Sequence, residues 1–368
     1  MALEKDSSST EAGWEWFCSI PQLYWEHRRI LLACFHSPEA VQKATEAELS
    51  LLEERGCPWV QKIRKYQREF TPQDTVHKRQ ETGIQFISCE NAQYPEQLKD
   101  LKDAPYGLFY RGQLPAPRKK NIAVVGARVC THYGKVLAEQ IAGAIAEAGG
   151  QVVSGAAYGI DGAAQWAALE HGGNSFGIVG SGVDLRYPKS NERLFDRLEQ
   201  EGGVISEFPP GTEPLRSHFP LRNRIISGLA EVVVVIEARR GSGSLITADF
   251  ALEQGRTVMA VPGRLDDELS RGCNELIAQG AGLILSAESF VEQFFPDYRT
   301  QKKRKGADIR LAPSENLVYS SLGLHSKSLW ELAECTSLSL AELGGCLLSL
   351  EKKGLAREAE RNYYVKVK

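Results

Sequence analysis

The stretch "EVVVVIEARRGSGSLITADFALEQGRTVMAVPG", residues 231–263, contains two apolar runs separated by a glycine- and serine-rich turn and a helical segment. The first run, "EVVVVIEA", is continuously apolar, which is typical of a strand buried on both of its faces. The segment between the runs is long enough to form a helix that returns the chain to the start of a second strand. The stretch therefore predicts a strand–helix–strand unit with parallel strands.

The same alternation extends over residues 120–296. Further strands are predicted at "NIAVVG", "QVVSG", "SFGIVG", "GVISE" and "GLILS", with helical segments such as "YGKVLAEQIAGAIAEAGG" between them. Continuous apolar strands separated by helices of about 10–15 residues indicate a parallel sheet covered by helices on both faces. We therefore predict an α/β fold for this central part of the chain.

Different patterns flank the predicted sheet. Residues 1–75 have the periodicity of a small helical domain, in which Ser37 is predicted to cap a helix. The sheet domain is assigned to residues 76–298 and is followed by a basic, polar linker at residues 299–313. Residues 314–368 read as two helices and a strand pair, which predicts a domain like a winged helix.

Composition excludes several classes of protein. The chain has 368 residues, 42% of them hydrophobic, and no apolar run near the roughly 20 residues that a membrane span needs. The N-terminus lacks a secretory signal, and the eight cysteines include no CxxC pair, which favours a cytoplasmic protein with reduced thiols. The net charge of −3 argues against a globally basic nucleic-acid binder but allows a local basic groove.

The residues that follow the strands favour an anion over a dinucleotide. Ligands bind beyond the carboxyl ends of parallel strands, so these positions carry the functional information. "VVGARVCTHYG" is not GxGxxG, and Ser154 and Gly155 stand where an NAD site places its ribose-binding acid. Glycine and serine at the start of a helix leave backbone N–H groups open to an anion, and this applies to Gly126 and to the turn formed by Ser242, Gly243 and Ser244.

Basic and amide side chains accompany these turns. They are Arg128, Lys189 and the group Arg222, Asn223 and Arg224 in "FPLRNRIISGL". A structural turn or a solvated surface charge explains each feature taken alone, but an anion site needs several donors together. The convergence at one edge of the sheet favours phosphate binding, with no cofactor and no metal.

Enzyme motifs are missing from the sequence. It contains no GxSxG, no Walker lysine loop and no HExxH, and the seven histidines lack metal-ligand spacing. Asp161 is expected to cap a helix that begins near Gly162, and His218 is expected to be structural. We therefore predict a binding protein that is not an enzyme.

A series of longer motifs closely resembles one family. "SGAAYGIDGAAQWAAL", "GSGVDLRYPKSN", "SEFPPG", "FPLRNRIISGL" and "GCNELIAQGA" are similar, in this order, to the DNA-processing protein A family (DprA/Smf), and the resemblance covers residues 83–290. It implies an extended Rossmann domain that binds single-stranded DNA without sequence preference. It also implies that the protein protects incoming strands, loads RecA recombinase onto them in natural transformation, and forms a homodimer.

The resemblance also assigns DNA-binding residues. The matching motifs place them at Gly126, Arg128, Ser154, Gly155, Lys189, Arg222, Asn223 and Arg224, and the predicted anion turn adds Ser242, Gly243 and Ser244. The sequence departs from the family at Gln165, where a histidine is usual. The alternative is a nucleoside-monophosphate phosphoribohydrolase on a similar Rossmann fold, although "ARRGSGSLITAD" lacks the catalytic glutamate of those enzymes.

Overall fold

The computed structural model describes residues 10–297, 311–323 and 326–367. They form two compact units, Met1–Tyr298 and Arg299–Lys368. The predicted basic linker falls almost entirely on residues outside the described ranges. Within these ranges no helix is both long and apolar enough to cross a membrane.

The first unit begins with six helices. They are α1 (Glu11–Ser19), α2 (Trp25–Phe35), α3 (Pro38–Lys43), α4 (Glu46–Glu54), α5 (Val60–Glu69) and α6 (Pro72–Gln80). The Ser37 side chain accepts the Ala40 N–H at 3.1 Å, as expected of the N-cap of α3. Trp16 and Phe17 are fully buried in the core of these helices. The predicted boundary at residues 75–76 falls within α6.

Nine strands follow and form one sheet. They are β1 (Gln85–Ser88), β2 (Gly107–Gly112), β3 (Asn121–Val125), β4 (Gln151–Ser154), β5 (Asn174–Ile178), β6 (Gly203–Ser206), β7 (Val232–Val235), β8 (Thr257–Ala260) and β9 (Gly282–Leu283). Their order is β1-β2-β6-β5-β4-β3-β7-β8-β9. The pairs β1–β2 and β2–β6 are antiparallel, and the remaining pairs are parallel.

The helices between and after these strands cover both faces of the sheet. They are α7 (Glu96–Lys99), α8 (His132–Glu147), α9 (Ile160–Glu170), α10 (Glu192–Glu201), α11 (His218–Leu229), α12 (Gly243–Glu253), α13 (Glu268–Ala278) and α14 (Ala287–Phe294). Alternate residues of β7 belong to different cores, with Val233 on one face and Val234 on the other. Burial on both faces explains the continuous apolar strands, and the predicted extended Rossmann-type α/β fold is confirmed.

The described residues of the second unit form three helices and a small sheet. Its elements are α15 (Pro313–Ser321), β10 (Lys327–Ser328), α16 (Leu329–Thr336), α17 (Leu340–Lys352), β11 (Ala356–Glu360) and β12 (Tyr363–Lys366). The three strands are ordered β10-β12-β11. Leu332, Leu343 and Leu347 are buried between the helices. The winged-helix assignment stays a prediction.

Candidate functional site

A crevice opens where the strand order of the sheet reverses. The chain proceeds from β3 outward to β6 and then returns through α11 to β7, on the other side of β3. The loops that leave β3 and β7 therefore diverge, and ligands of open α/β sheets bind at such a point. A groove of about 730 Å³ lies here, lined by the residues after β3, by α11 and by the start of α12. We refer to it as the switch groove.

Two arginines and two aromatic rings form one cluster in the switch groove. The guanidinium carbon of exposed Arg128 lies 5.0 Å from the ring centroid of Phe219, and that of Arg222 lies 5.9 Å from it. The Tyr187 ring is tilted 31° to the Phe219 ring at 6.0 Å and is 44% exposed. This cluster therefore presents positive charge beside accessible aromatic surface, a combination that suits nucleotides.

Arg222 supplies positive charge from within the protein. It is only 4% exposed, its Nη1 donates to the Ile178 carbonyl, and its Nε has no hydrogen-bond partner among the described residues. Burial lowers the pKa of Arg222 to about 10, against the opposing effect of the Asp161 carboxylate. The guanidinium is therefore still charged at neutral pH, and a phosphate nearby would stabilise it.

Asp161 is the counter-charge of Arg222 and not the predicted helix cap. Helix α9 begins at Ile160 with Gly159 as its N-cap, so Asp161 lies within the first turn. Its carboxylate is 8% exposed and accepts the Gly155 N–H at 3.1 Å. Burial raises the pKa of Asp161, and Arg222 opposes that rise. The expectation failed because a left-handed Gly159, with φ of 73°, starts the helix earlier.

The N-terminus of α12 forms another wall of the switch groove. The Ser242 hydroxyl lies 2.7 Å from the Ser244 hydroxyl and accepts the Ser244 N–H at 3.4 Å. Asn223 Nδ2 donates to the Gly243 carbonyl at 3.1 Å and so joins α11 to this turn. The helix dipole and the first N–H groups of α12 add partial positive charge to the groove.

Two further arginines at the groove were missed by the sequence reasoning. Arg216 and Arg239 line the groove and are exposed. With Arg128 and Arg222 they make four arginines, whereas Asp161 is the single carboxylate among the described lining residues. Arg239 lies four residues after the end of β7, and Arg216 lies three residues before Phe219. Position after a strand and basic–aromatic spacing are therefore the signals that could have found them.

The structure brings seven of the eleven predicted site residues together in the switch groove. They are Gly126, Arg128, Arg222, Asn223, Ser242, Gly243 and Ser244. Ser154 is fully buried and donates to the Val124 carbonyl at 2.6 Å, so its hydroxyl serves the sheet. A Cβ on Gly155 would overlap Arg222 Nη1, so this glycine makes room for the arginine. Lys189 is exposed in a short turn, two residues beyond Tyr187, and does not line the groove.

Arg224 lies outside the switch groove, contrary to the prediction. Its side chain is 3% exposed, and its Nε and Nη2 pair with Asp103 and Glu207, each at 2.8 Å. Residues two apart on a helix point about 200° away from each other, so Arg222 and Arg224 cannot face the same side of α11. Arg224 therefore joins α11 to the end of β6 and to the loop before β2.

Gln165 has a local structural role. It is fully buried, and its Oε1 accepts the Ala156 N–H at 2.9 Å. Ala156 has a left-handed φ of 51°, which is unfavourable for a residue with a Cβ. Gln165 thus holds the turn between β4 and α9 that places Asp161 beside Arg222.

A family model and a curated relative both relate the chain to DNA processing protein A. The family model described as DNA recombination-mediator protein A matches residues 85–295. The DNA processing protein DprA of Streptococcus pneumoniae is 45% identical over 201 residues, which are 55% of this chain and 71% of that protein.

Two solved structures are also similar. The X-ray structure of DNA processing protein A from Streptococcus pneumoniae has a TM-score of 0.67 and 35% identity, covering 78% of this chain and 99% of that one. A structure of the Helicobacter pylori protein, described as showing its "unique single-stranded DNA binding mode", has a TM-score of 0.52 and 30% identity. The matched region covers 58% of this chain and 97% of the Helicobacter pylori chain.

Proposed function

Because the chain belongs to the family of DNA recombination-mediator protein A, we propose that it binds single-stranded DNA in the switch groove. The observation that carries the proposal is the cluster of Arg128, Arg222, Phe219 and Tyr187 at the reversal of strand order. The single-strand binding described for the Helicobacter pylori relative supports the choice of ligand.

The groove offers separate contacts for backbone and bases. Arg128, Arg216 and Arg239 are exposed and can follow a phosphate backbone, while buried Arg222 and the N-terminus of α12 hold fixed positive charge beneath it. Bases of any sequence can stack on Phe219 and Tyr187, because every base has a π face. In a duplex the π faces of the bases are already stacked against neighbouring base pairs, so single strands are favoured.

A direct binding measurement tests this proposal. Fluorescence anisotropy with a labelled thymidine 30-mer should show at least about tenfold weaker binding for Arg128→Ala, since a charge-assisted hydrogen bond is lost. Phe219→Ala should also weaken binding, by removing a stacking surface. The matched control is Arg118→Ala, an exposed arginine just before β3, at the opposite edge of the sheet. Equal losses in Arg118→Ala and Arg128→Ala, or equal affinity for a duplex, would refute the proposal.

We also propose that the bound strand is passed to a RecA-type recombinase, and that the protein acts in the cytoplasm as a homodimer. Membership in a family of recombination mediators supports this role. In gel shifts, RecA should bind strands precoated with single-strand-binding protein faster when this protein is present. Light scattering of the purified chain should give twice the monomer mass. An unchanged rate of RecA binding would refute the loading role. A mass equal to that of one chain would refute the homodimer.

We propose that the switch groove binds its nucleic-acid ligand without hydrolysing it. Of the lining residues described, Asp161 alone carries a carboxylate, and it is committed to Arg222 and to the Gly155 N–H. A phosphoribohydrolase needs a carboxylate that is free to act on the ribose. Incubation with nucleoside monophosphates should release no base, and release that is lost in Asp161→Asn would establish the enzyme instead.

A further inference from the structure

Helix α8 occupies the position that holds a phosphate in many nucleotide-binding sheets. It spans 16 residues and follows β3, the first of the parallel strands. In doubly wound folds the N-terminus of this helix receives the pyrophosphate of a nucleotide, because its N–H groups and its dipole attract negative charge. Here the position is already taken by the chain itself.

The occupant is the carboxylate of Glu237, which lies just beyond the end of β7. Its Oε2 accepts the Thr131 N–H at 2.9 Å, and its Oε1 accepts the Thr131 hydroxyl. Thr131 is the N-cap of α8 and also accepts the Gly134 N–H at 3.0 Å. Glu237 is 4% exposed, and both of its hydrogen bonds within the described ranges go to Thr131. Burying a carboxylate is costly, and the hydrogen bonds from Thr131 together with the positive end of the α8 dipole offset part of that cost.

The surrounding residues are shaped for this carboxylate. A Cβ on Gly134 would overlap the carboxyl carbon of Glu237, so the absence of a side chain in the first turn of α8 creates the space that Glu237 fills. Thr131 is half-buried, and His132 beside it is exposed. The position would therefore open to solvent if the carboxylate were removed.

We propose that Glu237 is a specificity-determining residue that closes the α8 phosphate position against free mono- and dinucleotides. The Glu237 side chain fills this space and occupies the Thr131 N–H, so a second anion finds neither room nor that donor there. The phosphates of a bound strand are thereby confined to the arginine side of the switch groove and to α12. The confinement of the strand's phosphates rests on the proposed single-strand binding. The closure of the α8 position by Glu237 is independent of that proposal.

The test measures pyrophosphate and ADP binding by isothermal titration calorimetry. Glu237→Ala should bind both at least tenfold more tightly than the unaltered protein. Glu237→Gln, which keeps the shape of the side chain, should stay within about threefold of it. An intact melting curve with no gain in Glu237→Ala would overturn the proposal. If Glu237→Ala binds pyrophosphate and ADP more tightly but the unaltered protein does not bind the thymidine 30-mer, only the proposed function is contradicted.

A measurement on the unaltered protein covers the case in which Glu237→Ala does not fold. Pyrophosphate should reach only the groove arginines, so any displacement of a labelled thymidine 30-mer beyond that by sodium chloride of equal ionic strength should be lost in Arg128→Ala. If the 30-mer is not bound, calorimetry with pyrophosphate replaces the competition and should show no saturable binding. Displacement that Arg128→Ala does not reduce, or saturable binding to a protein that does not bind the 30-mer, would show that the α8 position is open, and would overturn the proposal.

Discussion

Arg222 and Arg224 are separated by one residue but have different environments. Arg222 contributes charge to the switch groove, whereas Arg224 pairs with Asp103 and Glu207 on the other side of α11. Their roles follow from the geometry of a helix, in which neighbours two positions apart point in nearly opposite directions. Similar residue types in one motif therefore predict opposite consequences of substitution.

Arg224→Ala should destabilise the fold without weakening the DNA affinity of the folded fraction. The substitution leaves Glu207, whose side chain is 10% exposed, without its partner, which should cost about 3 kcal/mol of unfolding free energy. Urea unfolding measures the loss, and anisotropy at low denaturant measures the affinity. Weaker DNA binding with an unchanged free energy of unfolding would show that Arg224 belongs to the DNA-binding site.

Gly155→Ala should weaken single-strand binding although Gly155 does not line the groove. The new Cβ would overlap Arg222 Nη1 and lie 2.5 Å from Asp161 Oδ2, so one of these buried charges must move. We expect about tenfold weaker binding, as for loss of a charge-assisted hydrogen bond. The matched control is Gly344→Ala in α17, where a Cβ meets open space. Unchanged affinity in Gly155→Ala would show that the position of Arg222 does not matter for DNA.

At the level of elements, strands were predicted better than the start of α11. "NIAVV" is mostly apolar and "VVVV" is entirely β-branched, and both form buried strands of the sheet. In contrast, the basic and amide residues of "FPLRNR" were expected to accompany turns, whereas they lie inside α11, which begins at His218. Pro220 gives no contrary signal, because proline is tolerated in the first turn of a helix.

Long-range partners were beyond the reach of sequence reasoning. Arg224 pairs with Asp103, which lies about 120 residues earlier, and no local pattern connects the two. Gly126 and Arg128 could be found because they come within three residues of the end of β3, and topology alone brings strand ends together. Tyr187 and Phe219 were present in the quoted motifs, but their value depends on the distance between their rings.

The second unit contains an acid-sensitive contact between α15 and α17. The Lys353 ammonium, together with the Ser349 hydroxyl and the Ala312 N–H, lowers the pKa of Glu315 to about 2. Because the pKa of Glu315 is lower in the folded state, ionised Glu315 stabilises the fold at pH values above its ordinary pKa of about 4.5. This stabilisation is lost as the pH falls toward 2.

Hydrogen exchange can follow this contact in the full chain. Amides of α15 and α17 should exchange faster as the pH falls from about 4.5 to 2, after correction for the intrinsic rate. Glu315→Gln should abolish that change, because the titrating group is gone. The same acceleration in Glu315→Gln and in the unaltered chain would assign the effect to other groups.

At the level of the whole molecule, a net charge of −3 coexists with a local concentration of positive charge. Four arginines meet at one crevice, and the α8 helix start, a second position that would attract anions, is filled by Glu237. The reversal of strand order brings these groups together from segments on either side of α11. The global charge therefore says little about the proposed DNA binding, which depends on the distribution of charge over the sheet edge.

The central claim is that phosphates bind in the switch groove, and the salt dependence of single-strand affinity tests it most directly. Each neutralised phosphate of a single strand contributes about 0.7 to the slope of log K against log salt concentration. Titrations of a thymidine 30-mer across a range of sodium chloride concentrations should give a steep slope. The slope should become shallower by about 0.7 in Arg128→Ala and stay unchanged in Arg118→Ala. An affinity indifferent to salt, or a slope that changes in Arg118→Ala but not in Arg128→Ala, would contradict the claim.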